Sequence, residues 1–265
     1  MMRWAMVALL VLGACSREED PAVQATKAQL ARSSYAVPRL GLRVSYLHAG
    51  TPNGRTVIFV HGTPGSAEGW ADYLISVPDG LRYIAVDRPG FGRSRPGKAV
   101  PSLEQQADAL APLLGTEPPP ILVGHSLGAP IIALLAAAHP NQVGGLILLA
   151  GALDPARERI HWYQRVAEWP SVRRLVPEPW RVANQELLPL KGELERLAPR
   201  LDRIRAPIVI VHGTEDNLVP LGNVDFMRPR FRSAASVRVV VLPKQGHFLP
   251  WEQKPLIDSL VRELA

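Results

Sequence analysis

The chain has 265 residues, 47% of them hydrophobic and 20% charged, with a formal charge of +6 and a pI near 9.8. That length and apolar fraction suit one large globular domain with a substantial core, alone or carrying an insertion. The single cysteine excludes an intramolecular disulfide, and the basic residues are scattered without a nucleic-acid motif, so no nucleic-acid partner is expected.

The first fourteen residues read as a targeting segment. Arg3 gives a positive start, residues 4–12 form an apolar run too short to span a bilayer comfortably, and small Gly13 and Ala14 follow. The run Leu12-Gly13-Ala14-Cys15 resembles the bacterial lipobox, which implies removal of a signal peptide over 1–14 and lipid attachment at Cys15. Anchoring of that kind needs more than one acyl chain, each buried methylene adding about 0.8 kcal/mol. Ser16 follows the cysteine, which in the lipoprotein pattern implies the outer membrane, facing the periplasm. Residues 15–34 are polar and read as a tether, in which Asp20-Pro21 supplies an N-cap and a proline at the first helical position.

The domain then opens with strands. Residues 35–40 and 42–49 read as a pair joined at Gly41, and 56–60 is a continuous β-branched run suited to a buried central strand. That run ends in His61-Gly62-Thr63-Pro64-Gly65. A second apolar strand, 83–86, ends in Asp87-Arg88-Pro89-Gly90-Phe91-Gly92-Arg93-Ser94. A helix is predicted over 102–114, capped by Ser102, and Pro118-Pro119-Pro120 separates it from a strand beginning at Ile121. This strand passes through Gly124-His125-Ser126-Leu127-Gly128 straight into an apolar helix over 127–139. A serine hydroxyl is a poor nucleophile on its own and must project from a sharp turn towards a base that takes its proton. Glycines on either side remove the side chains that would collide in such a turn, and the helix N-terminus favours negative charge beside it. Ser126 is therefore the candidate nucleophile.

These three motifs, in this order and spacing at the ends of successive predicted parallel strands, resemble the alpha/beta-hydrolase superfamily, over a match running from about residue 35 to the C-terminus. The resemblance implies an alpha/beta-hydrolase fold, with a mostly parallel sheet of about eight strands and helices on both faces. It also implies an oxyanion hole formed by the backbone amides of Thr63 and Leu127. His61 reads as a residue that orients its loop through hydrogen bonds, His125 as one packed beside the turn, and the loop 87–94 as structural, with Asp87 and Arg88 paired to backbone or to each other.

After a buried strand over 145–150 the pattern changes. Residues 152–205 are rich in Arg, Glu, Pro and Trp and lack a strong strand, so they divide the core into 35–151 and 206–265. In the family such an insertion is a helical cap, here of two or three short helices, and Trp162, Tyr163, Trp169 and Trp180 are candidates to line an apolar acyl pocket. Arg157, Arg159, Arg165, Arg173 and Arg174, interleaved with Trp, also suit contact with anionic lipid.

The next strand, 207–211, leads to Asp216, the family's acid position in the context Gly213-Thr214-Glu215-Asp216; Asp154, after the preceding strand, is the alternative acid. A strand over 237–242 is followed by Gly246-His247, which the family places on its final loop, giving the order Ser126, Asp216, His247. The chemistry implied is acyl transfer through an acyl-enzyme on a small-molecule acyl substrate, an ester by default, with thioesters, amides and ketone-adjacent carbon-carbon bonds open. It requires no cofactor and no metal. Two other readings use the same residues: a haloperoxidase- or perhydrolase-like activity, and a non-catalytic binding lipoprotein.

Overall fold

A computed structural model describes residues 20–265, so the targeting segment, Cys15 and Ser16 lie outside the described residues. Eight strands form one sheet: β1 (Ala31–Val37), β2 (Leu42–Gly50), β3 (Arg55–Val60), β4 (Leu81–Asp87), β5 (Ile121–His125), β6 (Gly145–Leu149), β7 (Ile208–Gly213) and β8 (Val237–Leu242). Their order is β1-β2-β4-β3-β5-β6-β7-β8, with β1, β2 and β4 antiparallel in turn and every other neighbouring pair parallel. The expected fold class is therefore the observed one.

Strand periodicity builds two cores. Ile58, Val60, Ile84, Val86 and Leu122 face one side, where they meet the helices Leu103–Leu110, Gly128–Ala138 and Leu190–Leu197. Val57, Phe59, Tyr83, Ala85 and Val123 face the other side, against Trp70, Tyr73, Ile257, Leu260 and Val261. Alternate residues of one strand thus serve opposite faces, which is why β3 and β5 read as unbroken apolar runs. Burying each Val or Ile side chain completely is worth roughly 1.5–3 kcal/mol, so the buried centre of this sheet contributes much of the fold's stabilisation. The helix Gly128–Ala138 is buried at every position but its last, and its seat on the sheet fixes the turn before it.

Several boundaries differ from the sequence reading, among them the end of the first strand, which falls at Val37 because Pro38–Leu40 form a 3-10 turn. Strand β1 begins at Ala31, so residues 31–34 pair with β2 rather than extending the tether. The helix after Ser102 ends at Leu110 and continues as a 3-10 turn, Ala111–Leu113, where Pro112 has no N–H to offer. The segment between β6 and β7 holds four α-helices, Trp162–Val166, Pro170–Arg173, Glu178–Leu187 and Leu190–Leu197. The last of these is not part of a cap: Leu190, Leu194 and Leu197 are buried in the core against the Gly128–Ala138 helix. At the N-terminus, Asp20 Oδ1 accepts from the Ala22 amide at 2.8 Å and caps the helix Pro21–Ala28. No helix among the described residues is long and apolar enough to cross a membrane.

Candidate active site

Ser126 sits in the turn between β5 and the helix Gly128–Ala138, with φ at +54°, a conformation that side chains other than glycine seldom adopt. The surroundings leave it no alternative. Its amide donates to Leu149 O on β6 at 2.9 Å, and its carbonyl accepts from the Ala129 amide at 3.1 Å. A Cβ on Gly124 would lie 2.6 Å from Gly128 O, and one on Gly128 only 2.3 Å from Val60 O, so strand and helix approach as closely as they do only because both positions are glycine. From Pro120 to Ala137 every residue is buried except Ser126. The fold thus spends a strained backbone on exposing one hydroxyl.

The loop after β7 carries Asp216 and the loop after β8 carries His247. Asp216 Oδ2 receives His247 Nδ1 at 2.7 Å, and Asp216 Oδ1 accepts from the Leu218 and Val219 amides at 2.9 and 2.8 Å. Burial alone would raise this carboxyl, but the hydrogen bond and charge of His247, together with the Val219 amide and His212, hold it below the usual carboxylate range. Asp154 is used elsewhere: it accepts from the Ala156 amide at 2.9 Å and pairs with Arg157 at 3.2 Å. The Nδ1 of His247 therefore meets the carboxylate after β7 and not the one after β6.

His247 is brought against the turn that carries Ser126 through the neighbouring residue, His125. His125 Nε2 donates to His247 O at 2.9 Å, and the two rings lie 4.8 Å apart between centroids. Burial and the adjacent His247 push His125 down to about 3, so it stays neutral and serves as a spacer. His212 is buried on the far side of Asp216 and donates from Nε2 to Val219 O at 2.9 Å. The Ser126 hydroxyl makes no hydrogen bond among the described residues. The Thr63 and Leu127 amides likewise have no acceptor among them.

The loop after β3 lies directly over this serine, since a Cβ on Gly62 would come within 2.8 Å of Ser126 Cβ. His61 donates from Nδ1 to Gly62 O at 2.7 Å and accepts the Arg88 amide on Nε2 at 3.1 Å, which fixes its tautomer. Burial, then the Arg88 charge, holds it well below the usual histidine range. Asp87 is tied to the Ala67 and Arg93 amides and to Arg32. Arg88, by contrast, pairs neither with backbone alone nor with Asp87. Its guanidinium is fully buried and meets Glu186 of the helix Glu178–Leu187 at 2.8 Å. Sequence reasoning passed over Glu186, a single acid in an amphipathic helix whose buried position only the tertiary packing reveals.

Two expected pocket residues are elsewhere. Trp162 is 70% exposed and Trp169 59% exposed, so neither walls an enclosed pocket, while Tyr163 and Trp180 are half-buried. Short helices with so little apolar partner surface cannot bury every aromatic they carry. Among the described residues no group of three His, Cys, Asp or Glu side chains is placed to hold a metal ion.

Comparison with known proteins identifies the family. Residues 57–257 match the alpha/beta hydrolase family. A 2-hydroxy-6-oxononadienedioate/2-hydroxy-6-oxononatrienedioate hydrolase of Burkholderia vietnamiensis is 26% identical over 264 residues, covering 84% of this chain and 90% of its own. Among solved structures, a bacterial membrane phospholipase A superposes with a TM-score of 0.67 at 22% identity, covering all of this chain and 98% of its own. A 2-hydroxy-6-oxo-6-phenylhexa-2,4-dienoate hydrolase from Rhodococcus sp. strain RHA1 gives 0.68 at 18% identity, over 89% and 98%. At those identities the two structures speak for the fold alone. A match spanning three-quarters of the sequence, on a mostly parallel eight-stranded sheet, places the chain in the alpha/beta hydrolase family.

Proposed function

We propose that this hydrolase cleaves a carboxylic ester, or a related acyl bond, through Ser126, His247 and Asp216. The observation that carries the reading is the strained, half-buried serine whose neighbour His125 packs on an imidazole held through Nδ1 by a buried carboxylate. With substrate bound, Nε2 of His247 takes the Ser126 proton while Oγ attacks the carbonyl carbon. Asp216 holds the imidazole in the tautomer that leaves Nε2 free and stabilises the imidazolium that forms. The developing oxyanion is taken by the unengaged amides of Thr63 and Leu127. Protonated His247 then gives its proton to the leaving alcohol, and water, activated by the same imidazole, releases the acid from Ser126. The link between serine and imidazole closes when substrate is in place, as such contacts commonly do.

A second reading, cleavage of a carbon-carbon bond beside a ketone, is favoured by the name of the Burkholderia relative. Against it, such a diacid needs cations several ångströms to either side of the scissile bond, and Arg88 beside the oxyanion loop is already committed to Glu186. The test is kcat/KM for a series of p-nitrophenyl esters alongside a 2-hydroxy-6-oxo-dienoate. Turnover of the esters supports the proposal, and turnover of the dienoate alone replaces it with the second reading.

We also propose that lipid on Cys15 anchors the protein to the envelope, with the segment 157–175 turned towards anionic lipid. Four large apolar side chains there are exposed, Ile160, Trp162, Trp169 and Leu175, and Arg159, Arg165 and Arg174 have no ion-pair partner among the described residues. Binding to phosphatidylglycerol vesicles by the Cys15→Ser protein, weakened by Trp162→Ala with Trp169→Ala, supports this orientation. Unchanged binding by that double variant contradicts it.

A further inference from the structure

The inference concerns Glu186, and it rests on the serine-hydrolase reading above. Glu186 is 2% exposed and Arg88 0% exposed, an ion pair taken entirely out of water. A buried pair of this kind is weak as a source of stability, because the desolvation of both charges offsets most of their attraction. Its place beside the loop over Ser126 points to a function in geometry.

The contacts supply one. Arg88 donates from Nε to His61 O at 2.9 Å and from Nη2 to Gly62 O at 2.8 Å, and Gly62 O also accepts from His61 Nδ1. The carbonyl of Gly62 and the amide of Thr63 belong to one planar trans peptide group, so fixing the oxygen on one side fixes the N–H on the other. Arg88 therefore aims the Thr63 amide. Donation from a charged guanidinium into that carbonyl also polarises the peptide and strengthens the amide as a donor. Glu186 holds Arg88 by both oxygens, at 2.8 and 3.1 Å, and its Oε2 accepts the Thr63 hydroxyl at 2.7 Å. Gln106 donates to its other oxygen at 2.6 Å. Arg88, Gln106, Glu186 and Leu127 line one narrow crevice, so the residue that carries the second donor borders the same network.

Glu186 reaches this position from the insertion. Its helix docks on the loop after β4 through Val182 and Ala183 against Phe91. The same helix suspends the outer part of the insertion, since Asn184 donates to Gln164 O and to Glu168, and Gln185 to Glu168. We infer that Glu186 is a positioning residue by which the insertion sets the oxyanion hole: through Arg88 and the Thr63 hydroxyl it holds the Thr63 amide on the substrate's oxygen. The insertion then acts on catalysis from beneath the loop and not only as a cover.

The test uses Thr63→Val, Thr63→Ser and Glu186→Gln in the full chain, with kcat and KM for p-nitrophenyl butyrate, the rate of fluorophosphonate labelling and Tm. Thr63→Val removes the bond to Glu186 at nearly constant volume and is expected to lower kcat and the labelling rate by about 10- to 100-fold, with KM and Tm close to wild type. Thr63→Ser keeps the hydroxyl and is expected to return kcat to within about threefold of wild type. Glu186→Gln is expected to lose kcat to a similar degree and also Tm, because Arg88 is left as an unpaired buried charge. Wild-type kcat in Thr63→Val, or a defect that Thr63→Ser does not rescue, overturns the inference while leaving the hydrolase reading intact. A wild-type protein that neither labels nor hydrolyses the ester overturns both.

Discussion

Replacing Asp216 by asparagine changes one atom at the centre of the site and little else. Oδ1 would still accept from the Leu218 and Val219 amides, so the loop after β7 keeps its anchors. At the other position an amide nitrogen would face His247 Nδ1 in place of the carboxylate oxygen now at 2.7 Å. A donor there forces Nδ1 to become the acceptor and moves the ring proton to Nε2, the atom that receives the serine proton in the proposed mechanism. It also removes the negative charge that stabilises the imidazolium. In a serine protease triad the same change lowers kcat by about 10⁴-fold, which is about 5 kcal/mol of barrier at about 1.4 kcal/mol per decade. A loss of that order is expected here in kcat for p-nitrophenyl butyrate, with circular dichroism and Tm showing a folded protein. Asp154→Asn serves as the matched comparison, since its carboxylate engages Ala156 and Arg157 instead, and it should stay within about threefold of wild type. If Asp216→Asn retains a tenth of the activity, or Asp154→Asn falls as far, the assignment of the acid is refuted.

Two further outcomes follow from the same geometry. His61, His125 and His212 are all lowered from the usual histidine range by burial, His125 to about 3. The unfolded chain therefore binds protons that the folded chain refuses. Stability is fully present above about pH 6.5 and is lost as pH falls below it; His125, at about 1.4 kcal/mol per pH unit, removes about 2 kcal/mol by pH 5. Urea midpoints measured from pH 7.5 to 5 should fall steeply, and a flat profile would contradict neutral burial of these rings. Gly62→Ala places a Cβ 2.8 Å from Ser126 Cβ and 3.3 Å from His125 O. Displacing the loop by about an ångström should lower kcat by about 100-fold, measured on folded protein, and wild-type turnover would show that the loop does not lie over the serine.

The parts legible in the sequence are those written in local chemistry. The apolar runs of β3, β5, β6 and β7, the glycines around Ser126 and the proline stops announce the strands, the turn and their order, because each depends on neighbours within a few residues. The alpha/beta hydrolase family membership followed from those motifs together. What was hidden depends on contacts between distant segments. Glu186 lies 98 positions from its partner Arg88, and no local signal distinguishes it from the solvated acids of an amphipathic helix. The helix Leu190–Leu197 was read with the insertion because its apolar residues match a cap helix as well as a core one, and only their burial against the Gly128–Ala138 helix separates the two. Trp162 and Trp169 carry the composition of a pocket wall and stand in solvent, since aromatic content states what a segment can bury and not whether a partner surface is there.

The most direct test of the central claim is the site of covalent capture. A fluorophosphonate incubated with the purified protein is expected to add once per chain, on the peptide that contains Ser126 by mass spectrometry, with no adduct in Ser126→Ala and a strongly slowed one in His247→Ala. An adduct on another residue, or turnover and labelling that persist in Ser126→Ala, would contradict the account.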